Sequence, residues 1–598
     1  MVDQRIKQLR ELMEANEVDA YIVPTEDFHN SEYVGEYFKT REYISGFTGS
    51  AGTVLVTKDK AFLWTDGRYF LQAAKQLAGS EVILQKMGEP GVPTLANYLR
   101  GYLAEGGTIG FDGRCISINS GDAYIDIIDE LDGSIAYQDD LIGEIWTDRP
   151  SLSKAKAFFL EEKYSGESQV SKLARLREAM KEQGADVHIL NTLDDICWLF
   201  NIRGGDVESS PLVLSYAVIT LDEVHLFVDQ SKFDDQILDE LAKVEAELHD
   251  YNDIYEFVTS LESETGVLID AEKINFTIYQ NLPEDCNFIF KINPTTVFKA
   301  AKNEVELANT RIAQTYDGVA WVKFMKWLKE NVGNTEITEI QASDKLESFR
   351  KEWDSYIEPS FSPISGYGPN GAIVHYKAEA ETQAKLEAKG LYLSDTGSHY
   401  YEGTTDITRT VALGELTDEM KTHYTIVLKS HIALARAVFL KGTVGSSIDI
   451  LARKPFWDNG LDFKHGTGHG VGYLMNVHEG PARIHYSPNK NPDLNYPLIL
   501  GLIITDEPGI YIEGSHGIRT ENELVVREHM KTEHGEFYKF EVCTYVPIDM
   551  EPIKVELLDD GELAFLNEYH KTVYDRLSPY MQGEDLEALK AYTKELTR

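Results

Sequence analysis

The chain carries a long internal repeat. Leu9-Arg10-Glu11 returns as Leu176-Arg177-Glu178, and at the same offset of 167 residues Asp19 and Ile22 fall on Asp186 and Ile189. Further on, Tyr43-Ile-Ser-Gly-Phe-Thr-Gly49 resembles Trp198-Leu-Phe-Asn-Ile-Arg-Gly204 at an offset of 155, so the first copy holds about 12 extra residues. A repeat of this length predicts two related domains in tandem rather than one large core. In the first copy an amphipathic helix over Gln4–Asn16 leads into a strand over Asp19–Val23, and Tyr43–Gly52 reads as a glycine-rich loop. Thr53–Thr57 and Ala61–Trp64 read as strands around the turn Lys58-Asp59-Lys60, and a second helix follows. That order predicts an α/β domain over residues 1–158 and its repeat over 159–300. A strand-like run at Leu212–Thr220 answers Thr53–Thr57, and the linker Ser151–Glu167 reads as polar and helical in its middle.

Residues 301–598 have a different pattern. A long helix is expected over Glu304–Leu328, with Leu307, Ile312, Val319, Trp321 and Phe324 as its apolar positions, and a second over Thr338–Glu352. From Ile357 to Pro547 strands alternate with Gly/Pro turns, interrupted by a helical stretch after Asp418, and the tail from Glu562 reads as two helices. The fold class is therefore α/β and α+β: two tandem α/β domains followed by one α+β domain. The formal net charge of -42 argues against nucleic acid and anionic membrane as partners, since both select basic patches. The N-terminus has no apolar leader, and no apolar run approaches the roughly 18 residues of a membrane span. Cys115, Cys197, Cys286 and Cys543 are scattered without metal-type spacing, which fits buried thiols in a reducing cytoplasm.

Three stretches carry chemistry. Leu391–Thr410 places Asp395 and Asp406 on what read as neighbouring strands, with Gly397 and Gly403 bracketing the connection. Two carboxylates at one hairpin face repel each other unless something positive lies between them or one stays protonated. In His465-Gly-Thr-Gly-His469-Gly the glycines argue against helix, and an extended run turns both histidines to one side. Glu507 follows an apolar strand expected over Leu500–Thr505, and Arg519, Glu521 and Glu523 alternate onto one strand face. Acids embedded in apolar strands are costly unless paired. Arg519 can pair one of them but cannot neutralise Asp395, Asp406, Glu507 and Glu521 together. If those four meet His469, two divalent ions balance the charge, and an oxygen-rich set with one imidazole suits Mn²⁺. Such a pair holds a bridging water as hydroxide.

The order Asp395, Asp406, His469, Glu507, Glu521 resembles the five metal ligands of the pita-bread (M24) metallopeptidases. Finer motifs are similar to the three-domain cytosolic aminopeptidase P, or Xaa-Pro aminopeptidase, branch: Gly368-Pro-Asn-Gly-Ala-Ile-Val-His375-Tyr, His465-Gly-Thr-Gly-His-Gly-Val-Gly, Asn476-Val-His478-Glu-Gly-Pro481 and Thr505-Asp-Glu-Pro-Gly509. The resemblance implies two creatinase-like N-terminal domains and a pita-bread catalytic domain over 301–598. It implies Asp406 and Glu521 as bridging carboxylates, Asp395 on one ion, and His469 and Glu507 on the other. Glu507 is implied as proton acceptor and donor, and His375, His465 and His478 as catalytic and substrate-contacting histidines. Arg519 reads as a charge-orienting neighbour; His399, Glu402 and Glu523 read as loop or solvated residues. The implied reaction removes an N-terminal residue ahead of proline, in a homodimeric enzyme. Prolidase chemistry, a metal-free pita-bread binding module and creatinase are the alternatives.

Overall fold

The computed structural model describes residues 1–487 and 495–598, and it divides into two compact units. The first unit, residues 1–160 and 167–295, holds both copies of the repeat. Each copy is built on a six-stranded sheet. In the first the strands run in the order 82–86, 61–65, 53–57, 20–23, 108–111, 134–136. In the second the order is 247–249, 224–228, 215–220, 187–190, 266–269, 287–290. The sense of every pairing is the same in both: parallel, antiparallel, antiparallel, parallel, parallel. The repeat in sequence is thus a repeat in topology. Apolar helix faces cover the sheets, as in the first copy, where Ile6, Leu9 and Met13 of helix Val2–Ala15 pack on Val54, Val56 and Leu63.

Local expectations shift at three places. Tyr43–Ser45 end a short helix, Thr40–Ser45, which stops where Gly46 takes a left-handed conformation. The run Leu212–Thr220 forms a strand only from Ser215 to Thr220. In the linker, Phe158–Phe159 form a short strand before the helix Glu162–Ser165.

The second unit, residues 161–166 and 296–598, contains the three chemical stretches. Its first long helix, Glu304–Asn331, starts at a capping box: the Asn303 side chain accepts from the Glu306 N–H, and the Glu306 carboxylate accepts from the Asn303 N–H. Trp321, Phe324, Met325 and Leu328 follow the i, i+3, i+4, i+7 pattern and pack on Tyr392, Ile407 and Val411. Ile312 is 38% exposed, so it does not belong to that stripe as expected. The second helix is Glu339–Arg350, capped by Thr338.

Strands Ile364–Tyr367, Leu391–Thr396 and Ile407–Ala412 form one three-stranded sheet; Tyr356–Pro359, Ser398–Tyr400 and Gly403–Thr404 form another. The ribbon passes from the first to the second at Gly397 and Thr405. A Cβ on Gly397 would lie 1.8 Å from the Thr405 carbonyl oxygen, so glycine is required at the crossing. A six-stranded sheet runs in the order 438–440, 535–542, 522–532, 503–506, 468–470, 479–484. Helices Asp418–Ala435, Gly445–Trp457, Asp560–Leu577 and Gly583–Tyr592 complete the unit.

Candidate metal centre

Four of the five acidic and histidine positions lie at or next to strand ends. Asp395 is the penultimate residue of Leu391–Thr396, and Asp406 immediately precedes Ile407–Ala412 rather than lying within a strand. Glu507 follows Ile503–Asp506, and Glu521 precedes Asn522–Thr532. His469 is the middle residue of Gly468–Gly470. A strand end lets the side chain leave the pleat while the ladder fixes its backbone. Gly468 makes the last position possible, because a Cβ there would sit 1.9 Å from the Thr505 carbonyl oxygen.

Asp406, His469 and Glu521 bring donor atoms within 4.8 Å of one another, and His469 Nε2 is 3.4 Å from Asp406 Oδ2. Asp395 lies outside that tight group. Its Oδ2 accepts from Arg519 Nη2 at 2.5 Å, while its Oδ1 is buried without a hydrogen-bond partner among the described residues. Glu507 Oε2 is 4.0 Å from His465 Nδ1. Thr408 ties the two halves of the site: its hydroxyl donates to Glu521 Oε2 at 2.7 Å and accepts from Arg519 Nε at 3.2 Å.

The electrostatics show a centre short of positive charge. Burial drives the Glu521 carboxyl well above its ordinary value, reinforced by Asp406, Asp395 and Glu507. Burial also raises Asp395, against the pull of the Arg519 guanidinium, and raises Glu507 to about 7, opposed by His469 and Arg519. For His469, withdrawal from water lowers the imidazole, but the hydrogen bond and charge of Asp406 outweigh it and bring it to about 9. Arg519 bonds only Asp395 among these acids, and its charge offsets Glu507 and Glu521 without overcoming their burial.

Arg519 also donates to the Tyr511 hydroxyl at 2.7 Å, and that hydroxyl is 2.8 Å from His465 Nε2. His478 stacks edge-on to His469, with ring centroids 4.3 Å apart. His375 lies in the turn after the short helix Gly368–Ala372, which packs on strands Ile364–Tyr367 and His516–Arg519.

Two residues expected to be loop or solvated are buried. Glu523 is fully buried and accepts the Asp406 N–H at 2.8 Å; burial and the Asp406 charge push its carboxyl well up. His399 is fully buried, with Nδ1 3.0 Å from Thr404 Oγ1. Glu402 is partly buried, and its Oε2 is shielded from water. Glu523 was visible as the third member of the alternation with Arg519 and Glu521. Tyr511 and Arg409 had no motif to mark them. Arg409 is buried and donates to the carbonyls of Thr408, Glu521 and Val546 at 2.8, 2.6 and 2.8 Å, fixing the backbone beside Glu521.

The residues fit divalent cations. An orphaned buried carboxylate oxygen on Asp395, three convergent donors, and carboxyls forced toward their neutral forms are what a cation would relieve.

Known proteins resemble this chain over nearly its whole length. Residues 5–133 and 148–306 each match the creatinase/prolidase N-terminal domain, residues 308–528 match metallopeptidase family M24, and 536–596 match the C-terminal region of that peptidase. The probable Xaa-Pro aminopeptidase P of Laccaria bicolor is 40% identical over 97% of this chain and 91% of its own. The chain belongs to metallopeptidase family M24. Another relative, aminopeptidase P2 of Arabidopsis thaliana, is 38% identical over 98% of this chain and 87% of its own. Among solved structures, an X-prolyl aminopeptidase from Caenorhabditis elegans, described as cytosolic with a di-nuclear active site, superposes with a TM-score of 0.94. It is 33% identical over 100% of both chains. The two creatinase-type domains and the M24 domain expected from the sequence are thus its fold.

Proposed function

We propose that this protein is a metal-dependent Xaa-Pro aminopeptidase, releasing the first residue of peptides whose second residue is proline. The observation that carries the proposal is the convergence of Asp406, His469 and Glu521, with Asp395 and Glu507 beside them, in a chain alike over its full length to enzymes of that activity. Asp395, Asp406, His469, Glu507 and Glu521 would hold two divalent ions, with Asp406 and Glu521 shared. Oxygen donors with one imidazole favour Mn²⁺ as the metal. When bound, the ions polarise the scissile carbonyl and acidify a water molecule.

The protein's own groups do the rest. Glu507, withdrawn from bulk water beside His465, takes the proton given up by the attacking water and passes it to the proline nitrogen as the bond from the carbonyl carbon to that nitrogen breaks; the nitrogen carries no hydrogen of its own in the peptide. His375, His465 and His478 contact substrate and stabilise charge on the carbonyl oxygen. Tyr511 holds His465 through Nε2, and Arg519 holds Tyr511 and Asp395 together, so the histidine and the acid keep a fixed relation. The acidic centre also attracts the substrate's free ammonium group. The proposal extends to a homodimer in the cytoplasm; the C. elegans relative is described as cytosolic, and among the described residues no helix is long and apolar enough to cross a membrane.

The test is hydrolysis of Arg-Pro-Pro and of Xaa-Pro dipeptides, before and after chelation, with Mn²⁺, Co²⁺ and Zn²⁺ restored separately. Cleavage of the tripeptide that chelation abolishes and Mn²⁺ restores best is expected. Cleavage of dipeptides alone would assign prolidase activity instead.

A further inference from the structure

A second group of metal-type donors lies in the first unit, on the edge of the second six-stranded sheet. His225 is on strand Val224–Val228, and Glu247 and His249 are on the edge strand Glu247–His249. The two strands are parallel, with His225 paired to Glu247 and Phe227 to His249. That register, together with the period of two, turns all three side chains to one face. His225 Nδ1 is 3.1 Å from His249 Nε2 and 3.5 Å from Glu247 Oε2, and the three donors lie within 4.8 Å of one another.

We propose that His225, His249 and Glu247 form a binding site for a divalent transition ion of the Zn²⁺ type, separate from the M24 centre. Ligand distances of about 2.0–2.1 Å in tetrahedral geometry place neighbouring donors about 3.3 Å apart, which matches the two spacings from His225. Two imidazoles and one carboxylate leave a fourth position for water. The ring of His225 is oriented for the role: its other nitrogen, Nε2, is 3.4 Å from Glu223 Oε2. A carboxylate on the far nitrogen fixes the tautomer that presents a lone pair at Nδ1. Aromatic rings hold both imidazoles from the protein side. Phe227 stacks on His249 with centroids 4.7 Å apart, and Phe257 lies 4.7 Å from His225. Glu247 is 67% exposed, so an ion reaches the site directly from solvent. The fold itself does not demand these residues. The corresponding strands of the first copy, Ala61–Thr65 and Val82–Lys86, carry no histidine. Bound there, the ion would clip the short edge strand to its neighbour.

The test uses the full-length protein, loaded with Mn²⁺ and dialysed against low-micromolar Zn²⁺, with metals counted by elemental analysis. Wild type should retain one more Zn²⁺ per chain than His249→Gln or His225→Gln, while the Xaa-Pro-Xaa cleavage rates of all three agree. Glu223→Gln, altering an exposed residue, should bind the same ion roughly 10- to 100-fold more weakly. Exchange at the M24 centre affects all variants alike, so the difference reports this site regardless of what that centre does. Equal zinc in wild type and His249→Gln would overturn the proposal and leave a histidine–histidine hydrogen bond without a bound ion.

Discussion

Glu507 and Arg519 carry the sharpest residue-scale consequences. Glu507→Gln keeps the shape and removes the titrating oxygen, so kcat on an Xaa-Pro-Xaa peptide should fall at least about a hundredfold in the fully metallated variant. Near-normal turnover would remove Glu507 from proton transfer. Arg519 meets Asp395, Tyr511 and Thr408 at once through a planar fork. Lysine offers a point charge and cannot span all three. Arg519→Lys should therefore lose about 10- to 100-fold in activity or metal affinity, read by kinetics across a Mn²⁺ titration. The convergence of Asp406, His469 and Glu521 is legible in the sequence because buried like charges have few tolerable explanations. Tyr511 and Arg409 are not, because they act through backbone carbonyls and a hydroxyl that only the folded chain brings near. Glu523 reads as solvated in the sequence because its apolar neighbours Leu524 and Val525 leave its own burial undecided. It lies inside, bonded to the Asp406 N–H.

At the scale of elements, the site depends on backbones that approach more closely than a side chain allows. Gly468→Ala would drive a methyl group into the Thr505 carbonyl and push the His469 strand away from Ile503–Asp506. The expected result is a marked loss of Mn²⁺ affinity together with lower thermal stability, both measurable on the purified variant. Unchanged affinity would mean that His469 does not need its strand. The sequence pattern located these strands well but extended the hairpin through Asp406. Alternation of β-branched residues continues across Thr404–Val411, whereas Gly397 lets the ribbon cross between sheets and breaks the ladder at Thr405–Asp406. The Glu521 position behaves likewise, a break between His516–Arg519 and Asn522–Thr532. Periodicity reports which face a residue takes; it does not report where hydrogen bonding pauses, and these pauses are where the acids point inward.

Across the whole molecule, buried neutral histidines outside the centre make stability depend on pH. His188, in a strand of the second creatinase-type domain, and His570, on helix Asp560–Leu577, are fully buried, and burial lowers each to about 4. An unfolded chain protonates histidine near pH 6.5. The folded form therefore binds fewer protons between these values. The stabilisation is complete above about pH 6.5 and is lost as pH falls toward 4, by about 3 kcal/mol per histidine. Melting temperatures from pH 7.5 to 4.5 should fall less steeply for His570→Gln than for wild type; identical slopes would contradict this. The tandem architecture was readable because a repeat needs only self-comparison. What the repeat could not reveal was that the second copy's edge carries a histidine pair its sister lacks. The central claim, that widely separated acids and one histidine gather around two captured cations, is tested most directly by anomalous diffraction at the manganese edge from crystals grown with Mn²⁺. Two peaks within ligand distance of Asp395, Asp406, His469, Glu507 and Glu521 are predicted. A featureless map at those side chains under saturating Mn²⁺ would contradict it.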